Sequence, residues 1–310
     1  MTIFGQLVIG PPGSGKSTYC REMRQFLSRN GRKVAIVNLD PANDSLPYAA
    51  DIDINEYTTA DDVMSYLHVG PNCAILHCIE FLERCVQKIA AEIEQKKDCY
   101  FLIDCPGQVE LYTHHESLNN ILACLANAGL RLCCVHLVDS HYCSDAGTGK
   151  FISTLLLSLT AMLHMGLPHL NVLSKIDVLR EFENKLSFSL DYYTDVLDLS
   201  YLVECLEQDA ITSKHKKLNQ ALASCIEAYG LVHFTPLNVF DSNSLSNVLN
   251  MADKANGYIF KSSEERNVFK LLSTVMSSTP SDLRESVDES QQERKLAECT
   301  LFNYTADNAD

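Results

Sequence analysis

The chain has no run of ~18 or more uncharged apolar residues, so no transmembrane helix is expected. Its opening, MTIFGQLVIG, has no basic segment ahead of the apolar residues and reads as a strand, not a secretory signal. Positive charge is scarce: 25 Lys and Arg stand against 40 Asp and Glu, a formal net charge of −15. So acidic a body is a poor partner for nucleic acid or anionic lipid, and any phosphate must be held by local groups. Cysteine is plentiful, but no C-x-x-C pair occurs among the 13, and several, such as Cys133 and Cys134, lie inside apolar runs. That argues against a secreted disulfide framework and a structural zinc site, and for free thiols in a reducing compartment. A cytoplasmic location is expected. No internal repeat is found.

With 310 residues and 46% of them hydrophobic, the chain is long enough for one large domain carrying an insertion. Apolar strand-like runs fall at 4–10, 33–39, 99–104, 132–139, 170–174 and 231–237. Most are continuously apolar, as parallel strands covered on both faces are, and the stretches between them are long enough for crossover helices. The expected fold is therefore α/β, a doubly wound and mostly parallel sheet. Ile75, Ile79, Leu82, Val86, Ile89 and Ile93 recur at 4-3-4-3-4 spacing and mark one apolar stripe of a helix. The stripe packs on the sheet, or also contributes to a subunit interface. Residues 181–229 read as a helical insertion over the end of the sheet. One large domain carrying this insertion is expected over 1–260, followed at 261–310 by a polar, acidic, partly disordered tail, with FKLLSTVM as a short helix.

Gly10-Pro11-Pro12-Gly13-Ser14-Gly15-Lys16-Ser17, followed by Thr18, matches G-x-x-x-x-G-K-S/T between a strand and a helix. Glycines let the backbone curl so that successive N–H groups face phosphates, and the helix N-terminus adds its positive dipole end. Lys16 reaches the β- and γ-phosphates, and the Ser17 hydroxyl binds Mg²⁺. Asp104-Cys105-Pro106-Gly107-Gln108 ends another strand. Asp104 is the second Mg²⁺ anchor, the Gly107 N–H senses the γ-phosphate, and Gln108 or Glu110 orients the attacking water. Asp40, in NLDPAN, is either a turn initiator or a carboxylate facing that water or the metal shell. Ser174-Lys175-Ile176-Asp177 resembles the N-K-x-D guanine signature with Ser for Asn. Asp177 would accept from guanine N1–H and the exocyclic amine, Lys175 would lie along the base, and Ser174 is too short to brace the loop as Asn does. Phe234-Thr235-Pro236-Leu237 would flank the base on its other side.

Adjacent His114 and His115 lack a spaced partner for a metal and read as a helix start. Asp139-Ser140-His141, on one strand end, cannot converge as a hydrolytic triad.

These segments, in this order, resemble the GPN-loop GTPases, from GPPGSGKST through NLDPAN, Gly70-Pro71-Asn72, DCPGQVEL, LSKID and FTPLN to DKANGY at 253–258. The likeness spans roughly residues 3–260 and implies the dimerising class of P-loop GTPases. It implies GTP and GDP as ligands with Mg²⁺, and a site completed in trans by the Gly70-Pro71-Asn72 loop, Asn72 acting near the γ-phosphate of the other subunit. It further implies homodimers or heterodimers with related GPN-loop proteins, and work on RNA polymerase II assembly and nuclear import, with shuttling to the nucleus. From the residues alone, G-P-N is a helix-entry turn with Asn72 as N-cap. The extra Lys that many proteins of the class carry at the start of the P-loop is absent, Pro11 standing in its place. Two rivals to a GTPase switch are a P-loop small-molecule kinase, using 181–229 as a lid, and an assembly factor that binds nucleotide with little turnover.

Overall fold

A computed structural model describes residues 2–43, 45–143, 149–179, 189–196, 198–208 and 212–258. The expected tail at 261–310, and parts of the expected insertion, lie outside the described residues.

Strand β1 (Ile3–Ile9) is buried along its whole length. Ile3, Leu7 and Ile9 join the core on one face, and Phe4 and Val8 that on the other, the period-two alternation of a strand. Gly5 is needed for packing, since a Cβ there would stand 2.5 Å from the Phe101 carbonyl oxygen. The chain continues through α1 (Lys16–Arg29), β2 (Val34–Asn38), β3 (Ile52–Asp53), α2 (Ala60–Leu67) and α3 (Pro71–Gln95). Then come β4 (Tyr100–Asp104), α4 (Glu110–Thr113), α5 (Glu116–Asn127), β5 (Leu130–Asp139), α6 (Lys150–Met165), β6 (His169–Ser174) and α7 (Ile176–Leu179). Helices α8 (Leu190–Asp195), α9 (Ser200–Gln208) and α10 (Lys216–Tyr229) precede β7 (Phe234–Pro236) and α11 (Ser242–Asn256).

The seven strands form one sheet in the order β3-β2-β4-β1-β5-β6-β7, and every pairing is parallel. The order runs one way from β1 through β2 and the other way through β5, which makes the carboxyl end of β1 the switch point where ligands sit in such sheets. One face is covered by α1 and α11, packed on Phe4, Val8, Ile36 and Leu102. The opposite face carries α3 and α5. The six stripe residues of α3 are all buried there, against Leu118, Ile121 and Leu125 of α5. Helices α8 to α10 share a third core with α6 and with Val138 and Leu173, near the carboxyl ends of β5 and β6.

Three local details differ from expectation. β3 is only two residues long, too short for a periodic signal. β7 covers 234–236 instead of 231–237 and ends on Pro236, which has no N–H to give a ladder. Helix α11 was not anticipated, although Asp241 caps it by accepting from the Asn243 and Ser244 amides (3.1 and 3.3 Å) and Leu245, Val248, Leu249 and Ala252 form its buried stripe.

Candidate nucleotide site

Immediately after β1, Gly10 adopts φ 147°, and a Cβ there would lie 2.3 Å from the Leu137 carbonyl oxygen and 2.7 Å from Ser14 Oγ. Gly13 (φ 79°) and Gly15 (φ 94°) are also left-handed, which glycine alone adopts freely. The chain so turned enters α1 at Lys16, placing the free amides of a first helical turn, with Ser17 and Thr18, over the carboxyl end of the sheet. Lys16 is 8% exposed, and its Nζ donates to the Gly10 and Pro11 carbonyls at 3.0 and 3.3 Å. Burial lowers its pKa, while Asp104 and Asp40 pull the other way.

Asp104 ends β4 beside Val8 and Asn38 and is 1% exposed. Burial raises its pKa against the neighbouring Tyr48 and Ser17 hydroxyls and Lys16. Tyr48 donates its hydroxyl to Oδ2 at 2.6 Å, and Oδ1 is buried with no hydrogen-bond partner. Gly107 presses the loop onto the phosphate-binding loop, where a Cβ would meet Pro12 atoms at 3.1 Å. Gln108 is half-buried with its Oε1 enclosed and unpartnered, whereas Glu110, first residue of α4, is exposed. Asp40 makes the contact of a turn initiator and also stands near Lys16. Its Oδ1 accepts from the Ala42 amide at 3.1 Å, a turn contact, and it lies close enough to Lys16 for the ammonium to draw its burial-raised pKa back down. Asn38 holds this turn by accepting from the Asp40 amide (3.1 Å) and donating to Asp53 (2.9 Å).

On the other side of β1, the short side chain of Ser174 reaches two backbone carbonyls. Its Oγ lies 2.8 Å from the Ser14 carbonyl oxygen and 3.0 Å from that of Val138, because β6 ends close enough to the phosphate-binding loop for a short side chain to reach. Lys175 takes φ 60° and pairs with Asp139 at 2.7 Å, and Ser140 donates to the Lys175 carbonyl at 3.0 Å. Asp139 and Ser140 thus support this loop. Asp177, in α7, is half-buried. The Leu237 amide donates to Leu173 (2.9 Å), and the Ile176 amide donates back to Leu237 (3.4 Å), so FTPL lies against S-K-I-D. Within one chain, the Gly10–Thr18 loop, Asp40, the 104–108 loop and the Ser174–Asp177 loop all stand at the carboxyl ends of strands.

The Gly70-Pro71-Asn72 triplet is not drawn into this group. Gly70 is the N-cap of α3, Pro71 takes the first helical position, where its missing N–H is harmless, and Asn72 is second and exposed. Asn72 is therefore not the N-cap. His115 caps α5, its Nδ1 accepting from Ser117 at 3.3 Å. The sequence reading did not single out Tyr48, whose link to Asp104 spans 56 positions and leaves no local pattern.

A divalent cation fits here. Ser17 offers a hydroxyl, and Asp104 a carboxylate whose Oδ1 is unsatisfied, the hard oxygen donors that Mg²⁺ prefers. Among the described residues no group of three or more His, Cys, Asp or Glu could hold a metal, so such an ion would complete its shell with phosphate oxygens and water. No described helix is long and apolar enough to cross a membrane.

A parallel sheet with a G-x-x-x-x-G-K-S loop at its switch point and an aspartate ending the neighbouring strand defines a P-loop nucleotide-binding α/β protein. A family model described as a conserved hypothetical ATP binding protein matches residues 8–258. GPN-loop GTPase 2 of Danio rerio is 55% identical over 273 residues, 88% of this chain and 87% of its own. GPN-loop GTPase 2 of Saccharomyces cerevisiae is 42% identical over 268 residues, 84% and 76% of the two chains. The chain belongs to the GPN-loop GTPase family. The solved apo form of a GTPase from Pyrococcus abyssi has the same fold, with a TM-score of 0.65 at 24% identity over 82% of this chain and 97% of its own.

Proposed function

We propose that this chain binds GTP with Mg²⁺, hydrolyses the β–γ phosphoanhydride and works as a dimeric switch. The observation that carries the reading is the hydrogen bond from Ser174 to the Ser14 carbonyl, which ties the base-reading loop to the phosphate-binding loop. The amides of Gly13 and of Gly15 to Thr18, with the Lys16 ammonium, bind the β- and γ-phosphates. Ser17 and Asp104 hold Mg²⁺, which when bound offsets the charge that develops on the transferred phosphoryl group. Gln108 holds the attacking water, with Glu110 and Asp40 as the other candidates. Asp177 accepts from guanine N1–H and its amine, and adenine has no donors in that arrangement. Loss of the γ-phosphate frees the Gly107 amide and lets the 104–110 loop relax.

Asn72 acts from the partner subunit, a role that its exposed place at the start of α3 supports. Turnover is slow, as suits a switch that gains from a long-lived GTP-bound state. By family resemblance the chain pairs with itself or related GPN-loop GTPases and serves RNA polymerase II assembly and nuclear import, residing in the cytoplasm and shuttling. The matching family model is described as ATP-binding, which leaves room for a second reading in which ATP is the nucleotide, as in a small-molecule kinase.

Phosphate release by the purified protein tests the proposal. GTP with Mg²⁺ is expected to yield free phosphate, Lys16→Ala to abolish it, and Asn72→Ala to slow it while the dimer persists in light scattering. Transfer of phosphate from ATP to a small acceptor, or full activity in Lys16→Ala, would contradict it.

A further inference from the structure

The connection from β2 to β3 reaches both side chains that the proposed function assigns to the cation. Asn43 Nδ2 donates to Ser17 Oγ at 3.4 Å, and the Tyr48 hydroxyl donates to Asp104 Oδ2 at 2.6 Å. The connection is itself tied down. Arg24 of α1 donates to the Ala49 carbonyl, and Asp51 accepts from the Ile36 amide at 3.0 Å and from Lys96 at 3.2 Å. The Tyr48 ring is half-buried and packs on the core shared by α1 and α11, which limits where its hydroxyl can point.

A carboxylate can accept on either oxygen, and a phenol has one proton to give. With Oδ2 engaged by Tyr48, Oδ1 is left buried and without a partner. Burying an acceptor unsatisfied is costly, so the arrangement suits a site that receives a donor from outside, such as a cation's bound water. A neutral donor suits the purpose as well: it fixes the carboxylate without cancelling the charge that attracts a cation, as a lysine in its place would.

We propose that Tyr48 is a positioning residue for the divalent cation of the nucleotide complex. Its hydroxyl orients Asp104 so that Oδ1 faces the cation's water, and Asn43 orients Ser17 in the same way. The inference rests on the Mg²⁺–nucleotide reading of the site. Tyr48 touches neither nucleotide nor reacting atoms; it acts through Asp104.

The test follows the dissociation rate of a fluorescent GDP analogue as free Mg²⁺ is raised from zero in EDTA. In the unsubstituted protein, dissociation slows with a measurable Mg²⁺ midpoint. Tyr48→Phe keeps the ring and removes the donor. The expected result is a midpoint about tenfold higher, the scale of one hydrogen bond to a charged group, with a rate in EDTA within about twofold of the unsubstituted protein. A purely structural role for Tyr48 would alter the EDTA rate as well. An unmoved midpoint overturns the role of Tyr48 and leaves the nucleotide site standing. Mg²⁺-independent dissociation in the unsubstituted protein overturns both readings. If Tyr48→Phe does not fold, Asn43→Ala carries the test, with an upward shift expected and an unmoved midpoint counting against the proposal.

Discussion

At the scale of single residues, the site is built from side chains whose second partner is missing or spent elsewhere in the chain. Asp104 has one oxygen engaged and one not, and Gln108 has its amide oxygen enclosed without a partner. Glu110, two positions on, points into solvent from the start of α4. A water held for in-line attack needs an acceptor inside the site, so the two residues differ in consequence. Gln108→Ala is expected to lower single-turnover hydrolysis by about a hundredfold, the lower end of what a positioned group contributes, and Glu110→Ala to change it by less than about twofold. GTP affinity, measured separately, stays nearly intact in both. Equal and full activity in the two variants would remove Gln108 from this role. Lys16 and Ser17 were legible because the loop motif fixes their spacing. Ser174 was legible as a position but its contact was not, since sequence does not tell how near the end of β6 comes to Ser14.

At the scale of elements, the DKANGY segment has a structural account. It closes α11 onto the sheet. Asp253 (side chain 4% exposed) pairs with Arg32 at 2.7 Å, and Asn256 Nδ2 donates to the Gly5 carbonyl at 3.2 Å. Tyr258 stands edge-on to Phe4 and Tyr100, with the Arg32 guanidinium 4.3 Å from its ring centroid. Breaking a buried ion pair leaves the other charge uncompensated. Asp253→Ala is expected to cost about 3 kcal/mol in urea unfolding, with Arg32→Met/Asp253→Leu recovering much of it. A loss below about 0.5 kcal/mol would mean that the pair does not hold α11. The strands were legible for a plain reason: buried on both faces, they are apolar throughout. The stripe of α3 was legible because its six residues face one core. The two residues of β3 hold no period, and the Ser and Asn residues interleaved with the stripe of α11 also favour turns, which masks its capped pattern.

At the scale of the whole molecule, a chain of net charge −15 binds an anion only if its fold gathers local donors, and the sheet does so. Parallel order puts the carboxyl ends of the strands on one edge, so Gly10, Asp40, Asp104, Ser174 and Leu237, more than two hundred positions apart at the extremes, meet there. Each was visible in the sequence as a strand end. What joins them, Asn38 to Asp53, Tyr48 to Asp104 and Lys175 to Asp139, was not, because contacts between distant loops carry no periodicity.

Guanine selection by the P-loop site is tested by a binding titration of the protein with GTP, GDP and ATP in Mg²⁺, repeated with Asp177→Ala. GTP and GDP are expected to bind far more tightly than ATP, by a factor of about 10⁴, as for a site that reads donors on its ligand, and the substitution to erase the preference. ATP binding as tight as GTP in the unsubstituted protein would contradict it and move the kinase reading to the front.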